Sequence, residues 1–113
     1  MVQSFTNQLT SQIIDYLLRH KCFAWRQNTN GLLDPRSGIY RPSQKAGVSD
    51  ILAVLPPTGT FLAIEVKTGR DTLRPAQEGF LASVTAAGGL VLVVHNFIQF
   101  EEFIKQYIPD AQT

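Results

Sequence analysis

The sequence predicts an α/β fold in which helices flank a mixed central sheet, with the element order α-β-β-β-α-β-α. Three observations lead to this class. Apolar residues recur at helical spacing near the N-terminus, two apolar strands are joined by a Pro-Pro-Thr-Gly turn at residues 56–59, and the uncharged run Leu90–Val94 lies between two further helical segments. Helices and strands that alternate in this way pack as layers around one sheet.

The first helix is predicted over residues 6–20, where Leu9, Ile13 and Leu17 follow the i, i+4 spacing of one helix face. Residues 22–27 (CFAWRQ) are rich in aromatic side chains and predict a strand. Residues 28–47 carry repeated glycine and proline, so we expect a long irregular loop there. A loop of this length in a compact domain is usually functional.

Two strands follow on either side of the Pro-Pro-Thr-Gly turn, as a hairpin requires. Pro75 suits the first turn of a second helix over residues 75–87, after which two consecutive glycines end it. The continuous apolar run Leu90–Val94 is typical of a strand covered on both faces. A last short helix is expected over residues 99–107.

The composition is that of a globular chain, which we expect to form one domain over residues 1–113. Hydrophobic residues make up 44% of it and charged residues 17%, which suits a packed core. No basic stretch precedes an apolar run at the start, and no run is long enough for a bilayer, so we expect an intracellular protein without a signal peptide or membrane contact. The single cysteine, Cys22, excludes an internal disulfide, and no Cys/His cluster suggests zinc.

The net charge of +1 conceals an uneven distribution along the chain. Residues 19–74 hold nine basic and four acidic side chains, a local charge of +5, whereas the segments before and after carry −1 and −3. A basic face suits a polyanion, most often nucleic acid. Charge alone leaves open that this is chance clustering on a solvated surface.

Charged side chains stand at the ends of the two central strands, where a core would not need them. Because side chains alternate along a strand, Glu65 and Lys67 share one face, and the hairpin places Asp50 beside them. Two neighbouring carboxylates repel each other unless a cation lies between them, and Mg²⁺ can do this with carboxylates, a backbone carbonyl such as that of Val66, and waters. An ammonium nearby can orient or deprotonate a water and stabilise a developing oxyanion. The set suits phosphodiester hydrolysis, although the three residues alone also fit a solvated strand end or an ion pair.

The stretch GVSDILAV…FLAIEVKTGRDTLRPAQEGFL closely resembles the VRR-NUC (virus-type replication-repair nuclease) branch of the PD-(D/E)XK nucleases, and the similarity covers roughly residues 12–94. The resemblance implies a restriction-endonuclease-like α-β-β-β-α-β core with a short C-terminal helix. It also implies a Mg²⁺-dependent DNA endonuclease in which Mn²⁺ can substitute. Stand-alone, virus-borne members are homodimers that cut branched DNA such as four-way (Holliday) junctions, which suggests a viral or prophage origin and no organic cofactor. The motifs that carry the resemblance are Gly47-x-Ser49-Asp50, Glu65-Val66-Lys67 and Arg74-Pro75-x-Gln77.

The resemblance also implies roles for individual residues. Asp50 and Glu65 would bind the metal with the Val66 carbonyl, Lys67 would serve the attacking water, and Gln77 would position that water or a phosphate. The remaining candidates would contact DNA: Ser49 and Lys45 near the scissile strand, and Arg26, Arg36, Arg41, Arg70 and Arg74 on the rim. The alternatives are a polar first-turn residue for Gln77 and loop solvation for Lys45 and Ser49.

The sequence departs from the family pattern at two places. Family members commonly carry a carboxylate on the first helix, where this chain offers Gln8 and Gln12. Gln12 is a further DNA-binding candidate: we expect it to face the body of the protein and reach the site as a neutral ligand or a water holder, or else to lie at the margin of the apolar stripe. His95 stands where an arginine is often found, so it either touches phosphate or is a satisfied strand-end histidine. Three functions therefore remain open: a junction-cutting endonuclease, a general or nicking endonuclease, and a catalytically weakened DNA-binding module.

Overall fold

The computed structural model describes residues 4–27, 32–33, 35–41 and 47–108, and at residues 32, 33, 40 and 41 it describes the backbone alone. Three helices and six strands follow one another in this part of the chain. No helix there is long and apolar enough to cross a membrane. The elements in chain order are α1 (Phe5–Arg19), β1 (Phe23–Arg26), β2 (Leu32–Leu33), β3 (Tyr40–Arg41), β4 (Ile51–Leu55), β5 (Thr60–Val66), α2 (Pro75–Ala86), β6 (Leu90–Val94) and α3 (Phe97–Ile104).

The four longer strands form one mixed sheet in the order β1-β4-β5-β6. β4 is antiparallel to β1 and β5, and β6 runs parallel to β5. The predicted α/β fold, with an α-β-β-β-α-β core and a short C-terminal helix, is confirmed. Strand β5 lies in the interior of the sheet, so its end is held from both sides.

Two hydrophobic layers hold the helices against the sheet. On one face, α1 and α3 bury Ile13 and Phe100 against Leu62 and Ile64 of β5, all four with no exposed surface. On the other face, α2 packs through side chains such as Leu81 against the opposite row of the sheet. This alternation confirms the face assignment predicted for β5, and it places Glu65 on the face covered by α2.

The structure differs from the predictions at two places. The stretch predicted to be irregular contains a short antiparallel ladder between β2 and β3. Helix α3 begins two residues before the predicted start, because Asn96 Oδ1 accepts the backbone N–H of Gln99 at 2.9 Å and caps the helix. In β6 only Val94 is fully buried, because this strand lies at the edge of the sheet. Its side chains still pack on both faces, as predicted: Leu90 and Leu92 lie against the layer of α1 and α3, and Val91 and Val93 lie against the layer of α2.

Candidate active site

The hairpin brings the two predicted carboxylates together. Ile51 pairs with Ile64 in the ladder, which places Asp50 opposite Glu65 one position further along. Asp50 Oδ2 accepts the backbone N–H of Val66 at 2.8 Å, so its carboxylate is fixed against the end of β5. The structure confirms that Asp50 and Glu65 lie next to each other, as the hairpin predicted.

Glu65 is the most unusual group of the site, because it is a carboxyl with only 1% of its surface exposed. Burial raises its pKa from 4.5 to about 8, and the neighbouring Asp50 acts in the same direction. The Lys67 ammonium and the Ser49 hydroxyl partly oppose both. Its Oε1 accepts a hydrogen bond from Gln77 Nε2 at 3.2 Å, whereas Oε2 is buried and has no partner among the described residues.

Lys67 follows the last residue of β5 and is 7% exposed. Its backbone is held on both sides, since the N–H donates to the Val94 carbonyl at 2.9 Å and the carbonyl oxygen lies 2.7 Å from His95 Nδ1. Lys67 follows Glu65 by two residues, on the same strand face, and its charge lowers the pKa of the Glu65 carboxyl. Asp50, Glu65 and Lys67 therefore form one cluster at the end of the hairpin.

Gln77 connects this cluster to the start of α2. Its side-chain oxygen accepts the backbone N–H of Arg74 at 2.9 Å, while its amide nitrogen donates to Glu65. Both ends of the amide are therefore used, which holds the Glu65 carboxyl in one orientation. The role predicted for Gln77, positioning of a water or phosphate, stays a prediction.

The surroundings of Gly47 explain why the Gly-x-Ser-Asp motif begins with a glycine. Its φ is +81°, and a Cβ at this position would lie 2.2 Å from the carbonyl oxygen of Ala76. The backbone here passes directly over the first turn of α2, where only glycine fits. This contact sets the distance between the Asp50 strand and the helix that carries Gln77.

Two predicted DNA contacts are placed differently from expectation. Ser49 has no exposed surface, and its Oγ is buried without a hydrogen-bond partner among the described residues, so a surface contact with DNA does not fit it. Gln12 is exposed on α1 and does not face the body of the protein. The expectation that Gln12 faces inward was wrong, because the buried stripe of α1 turns Thr10 inward. The exposed side chain fits the alternative, a polar residue at the margin of the apolar stripe.

Some of the remaining basic candidates belong to the part of the chain that the structure describes, and others do not. Lys45 and the side chain of Arg41 lie outside the described residues. Arg26, Arg70 and Arg74 are exposed, as a phosphate-binding rim would require, and their role stays a prediction. Arg26 is also ordered by a hydrogen bond from Nη2 to Asn7 Oδ1 at 2.6 Å.

The first turn of α1 is a neighbour of the site that the sequence reasoning missed. Thr6 Oγ1 forms a short hydrogen bond with Thr68 Oγ1, directly after Lys67. Thr10 is buried one turn later and donates its hydroxyl to the Thr6 carbonyl at 2.8 Å. The two threonines at i, i+4 spacing beside the apolar stripe were the signal available in the sequence.

The donor set fits a divalent cation with few protein ligands. Across the described ranges, no group of three or more His, Cys, Asp or Glu residues comes together, so the carboxylates at this site are Asp50 and Glu65. Mg²⁺ is usually held through one or two carboxylates with waters completing the octahedron. The unpartnered Oε2 of Glu65 and its raised pKa both indicate a place where a cation would be favourable.

An apolar groove of about 660 Å³ lies elsewhere, between α2 and the sheet. Phe61, Phe80 and Val84 are among its lining residues, and none of the residues that line it is a titratable group of the cluster. The chemistry therefore locates the candidate site at the strand ends and not in this groove.

Replacing Glu65 by Gln is expected to change how stability depends on pH in the absence of metal. With a native pKa of about 8 against 4.5, the folded protein keeps a proton between these values that the unfolded chain releases. Wild-type stability should therefore fall as the pH rises from about 4.5 through 8, whereas Glu65→Gln should remain level and become the more stable protein at pH 9. Thermal unfolding in EDTA at several pH values measures this.

The exposed Glu102→Gln variant is the matched control and should follow the wild-type curve. Parallel curves for wild type and Glu65→Gln from pH 5 to pH 9 would show that Glu65 ionises as a solvated carboxyl does and would contradict the prediction.

Comparison with protein families agrees with this site. No curated protein matches the chain. A family model described as the VRR-NUC domain matches residues 2–97, which include the strand ends, Gln77 and His95. VRR-NUC domains are nucleases of the PD-(D/E)XK type, which act on DNA. The chain therefore belongs to the VRR-NUC family.

Proposed function

We propose that the protein is a Mg²⁺-dependent endonuclease that cuts branched DNA, four-way junctions in particular, as a homodimer, with Mn²⁺ able to replace Mg²⁺. The observation that carries the nuclease chemistry is the buried, unpartnered oxygen of Glu65 beside Asp50 and Lys67. Burial and carboxylate repulsion both disfavour the ionised pair, so a cation would relieve a cost already present in the fold.

Asp50, Glu65 and the Val66 carbonyl would hold the ion. When bound, Mg²⁺ can lower the pKa of a water and neutralise charge that grows on the phosphate. Asp50 is oriented for this by the Val66 N–H, and Glu65 is oriented by Gln77, which leaves its second oxygen available. Each carboxyl therefore has one fixed contact that presets its direction.

Lys67 would act on the attacking water and on the phosphate. Its ammonium leaves the same strand face as Glu65, so it lies beside the ion's ligands without being one of them. In this position the Lys67 ammonium can orient the attacking water and stabilise the negative charge of the transition state. The low exposure of the lysine, 7%, strengthens these interactions because little bulk water screens them.

Arg26, Arg70 and Arg74 would grip DNA phosphates around the site, without reading base sequence. The preference for branched DNA rests on the resemblance to the stand-alone VRR-NUC proteins. A two-fold dimer suits a pseudo-symmetric four-way junction, and a domain of 113 residues has little surface with which to hold one alone. An intracellular location and a viral or prophage origin fit this proposal.

One observation favours a second candidate, a DNA-binding module with weakened catalysis. The described residues supply two carboxylates to the site, and α1 adds threonines and no acid. A site with so few ligands holds its metal less tightly, so activity at low metal concentration is the point at which the two functions differ.

The test uses one labelled four-way junction and a linear duplex of the same arm sequence. Wild type and Asp50→Asn are incubated with Mg²⁺, with Mn²⁺ or with EDTA, and products and bound species are separated on gels. We expect metal-dependent cutting of the junction, little cutting of the duplex, and loss of cutting in Asp50→Asn. Equal cutting of the duplex would leave a general endonuclease, and binding without cutting in either metal would leave the DNA-binding module.

A further inference from the structure

His95 makes a contact that the nuclease chemistry above does not use. Its Nδ1 lies 2.7 Å from the carbonyl oxygen of Lys67. A carbonyl oxygen only accepts hydrogen bonds, so Nδ1 must carry the proton and donate it. The neutral ring then has its free acceptor, Nε2, on the other side.

The contact replaces the next step of the sheet ladder. Strands β5 and β6 are paired in parallel up to Val66 and Val94, and the Lys67 N–H still donates to the Val94 carbonyl. A continuing parallel ladder would offer a backbone N–H of the next β6 residues to the Lys67 carbonyl. The chain turns into α3 there, and the His95 ring supplies the donor in place of the backbone.

The backbone that carries the His95 ring is held by the start of α3. The backbone N–H of His95 donates to Gln99 Oε1 at 2.7 Å, and the N–H of Gln99 donates to Asn96 Oδ1 at 2.9 Å. These two bonds hold residues 95–99 in one conformation. The contact between His95 and Lys67 is therefore built into a supported turn and does not depend on a free side chain.

We propose that His95 is a positioning residue for Lys67. Its Nδ1–H donates to the Lys67 carbonyl, so the N–H and the C=O of Lys67 are both hydrogen-bonded. This fixes the direction in which the lysine side chain leaves the strand. The inference rests on the proposed function, because a fixed ammonium matters only if Lys67 acts in cleavage. A group held in its reactive position does not have to be ordered during the reaction.

Two substitutions separate this role from a phosphate contact through Nε2. The side-chain nitrogen of Asn lies where Nδ1 lies in histidine, and that of Gln lies where Nε2 lies. We expect His95→Ala and His95→Gln to lower kcat for DNA cleavage roughly 10- to 100-fold with KM nearly unchanged. His95→Asn should stay within about threefold of wild type, since it keeps the donor to the carbonyl.

His20 provides the matched control, because its Nδ1 lies 2.8 Å from the carbonyl oxygen of Tyr16, at the end of α1. His20→Ala removes the same kind of bond away from Lys67 and should cleave like wild type. Rescue by Gln in place of Asn, with a change in KM, would overturn the proposal in favour of a phosphate contact. Full activity of all three His95 variants would overturn it as well.

Two spectroscopic readouts decide the contact independently of cleavage. ¹⁵N NMR should find the neutral His95 ring protonated on Nδ1, and the Lys67 amide should exchange with solvent faster in His95→Ala than in wild type or His95→Asn. If wild type cuts no DNA with either metal, the proposed nuclease function has failed, while these readouts still decide whether His95 holds Lys67. An Nε2-protonated ring together with unchanged Lys67 exchange would contradict the proposal.

Discussion

Lys67→Met is expected to abolish DNA cleavage while leaving the protein folded. Methionine keeps the unbranched shape and most of the length of the side chain and removes the charge, so the packing of a residue that is 7% exposed is largely preserved. Loss of a cation that acts on the water and the phosphate should lower the rate roughly 10²- to 10⁴-fold. Single-turnover cleavage of the junction, with thermal unfolding measured on the same samples, tests this.

A second effect follows from the position of the charge. The Lys67 ammonium lowers the pKa of Glu65, so its removal should raise that pKa further above 8. The same removal ends the repulsion between the ammonium and a divalent cation at the site, and this repulsion is stronger than that felt by a proton. Titration with Mn²⁺ should therefore show an affinity at least as high as that of wild type, although cleavage is lost. The effect of Lys67→Met on the cleavage rate and its effect on metal binding can thus be measured separately.

Lys105→Met is the control, since it removes an exposed lysine at the end of α3. It should cleave like wild type. Cleavage by Lys67→Met within a few fold of wild type would exclude Lys67 from the chemistry and would leave metal and carboxylates to act without it.

Gly47→Ala is expected to damage stability and cleavage together. The new Cβ would meet the Ala76 carbonyl oxygen at 2.2 Å and the Gln77 nitrogen at 2.9 Å, and the residue would also keep a φ of +81°. The left-handed backbone costs about 1–2 kcal/mol for alanine, and displacement of the first turn of α2 adds to it, for a total on the order of 3 kcal/mol. Because Gln77 moves with that turn, the support of Glu65 should be lost.

Gly59→Ala separates the two causes. Gly59 has a φ of +77°, and nothing lies within 4 Å of a Cβ placed there. This variant should show the backbone cost alone, about 1–2 kcal/mol, with normal cleavage. Chemical denaturation and junction cleavage of both variants are the measurements, and equal destabilisation with equal activity would show that Gly47 does not hold α2 in place.

The fold could be predicted from the sequence where local patterns determine it. The helical spacing of Leu9 and Ile13, the Pro-Pro-Thr-Gly turn and the two strands that flank it gave the correct elements. The face that carries Glu65 followed from alternation along β5. The same alternation, extended across the hairpin, also predicted that Asp50 lies next to Glu65.

The details that make the site unusual depend on contacts between distant segments. The bond from Gln77 to Glu65 requires the docking of α2 on the sheet, and the bond from His95 to Lys67 requires the turn before α3. Neither follows from a periodic pattern. The rotation of α1 was also beyond the pattern: Thr10 and Gln12 lie about 160° apart around the helix, on opposite sides of the apolar stripe, and packing decides which of them faces inward.

The contact between Thr6 and Thr68 has a practical consequence for fusions and affinity tags. Helix α1 begins at Phe5 with Ser4 as its cap, and its first turn touches the residue that follows Lys67. Any polypeptide joined ahead of Ser4 therefore leaves the domain within a few residues of the strand end that carries the candidate site. A tag placed there would compete with DNA for the same space, so measurements of cleavage and binding should use protein labelled after α3 or freed of its N-terminal tag.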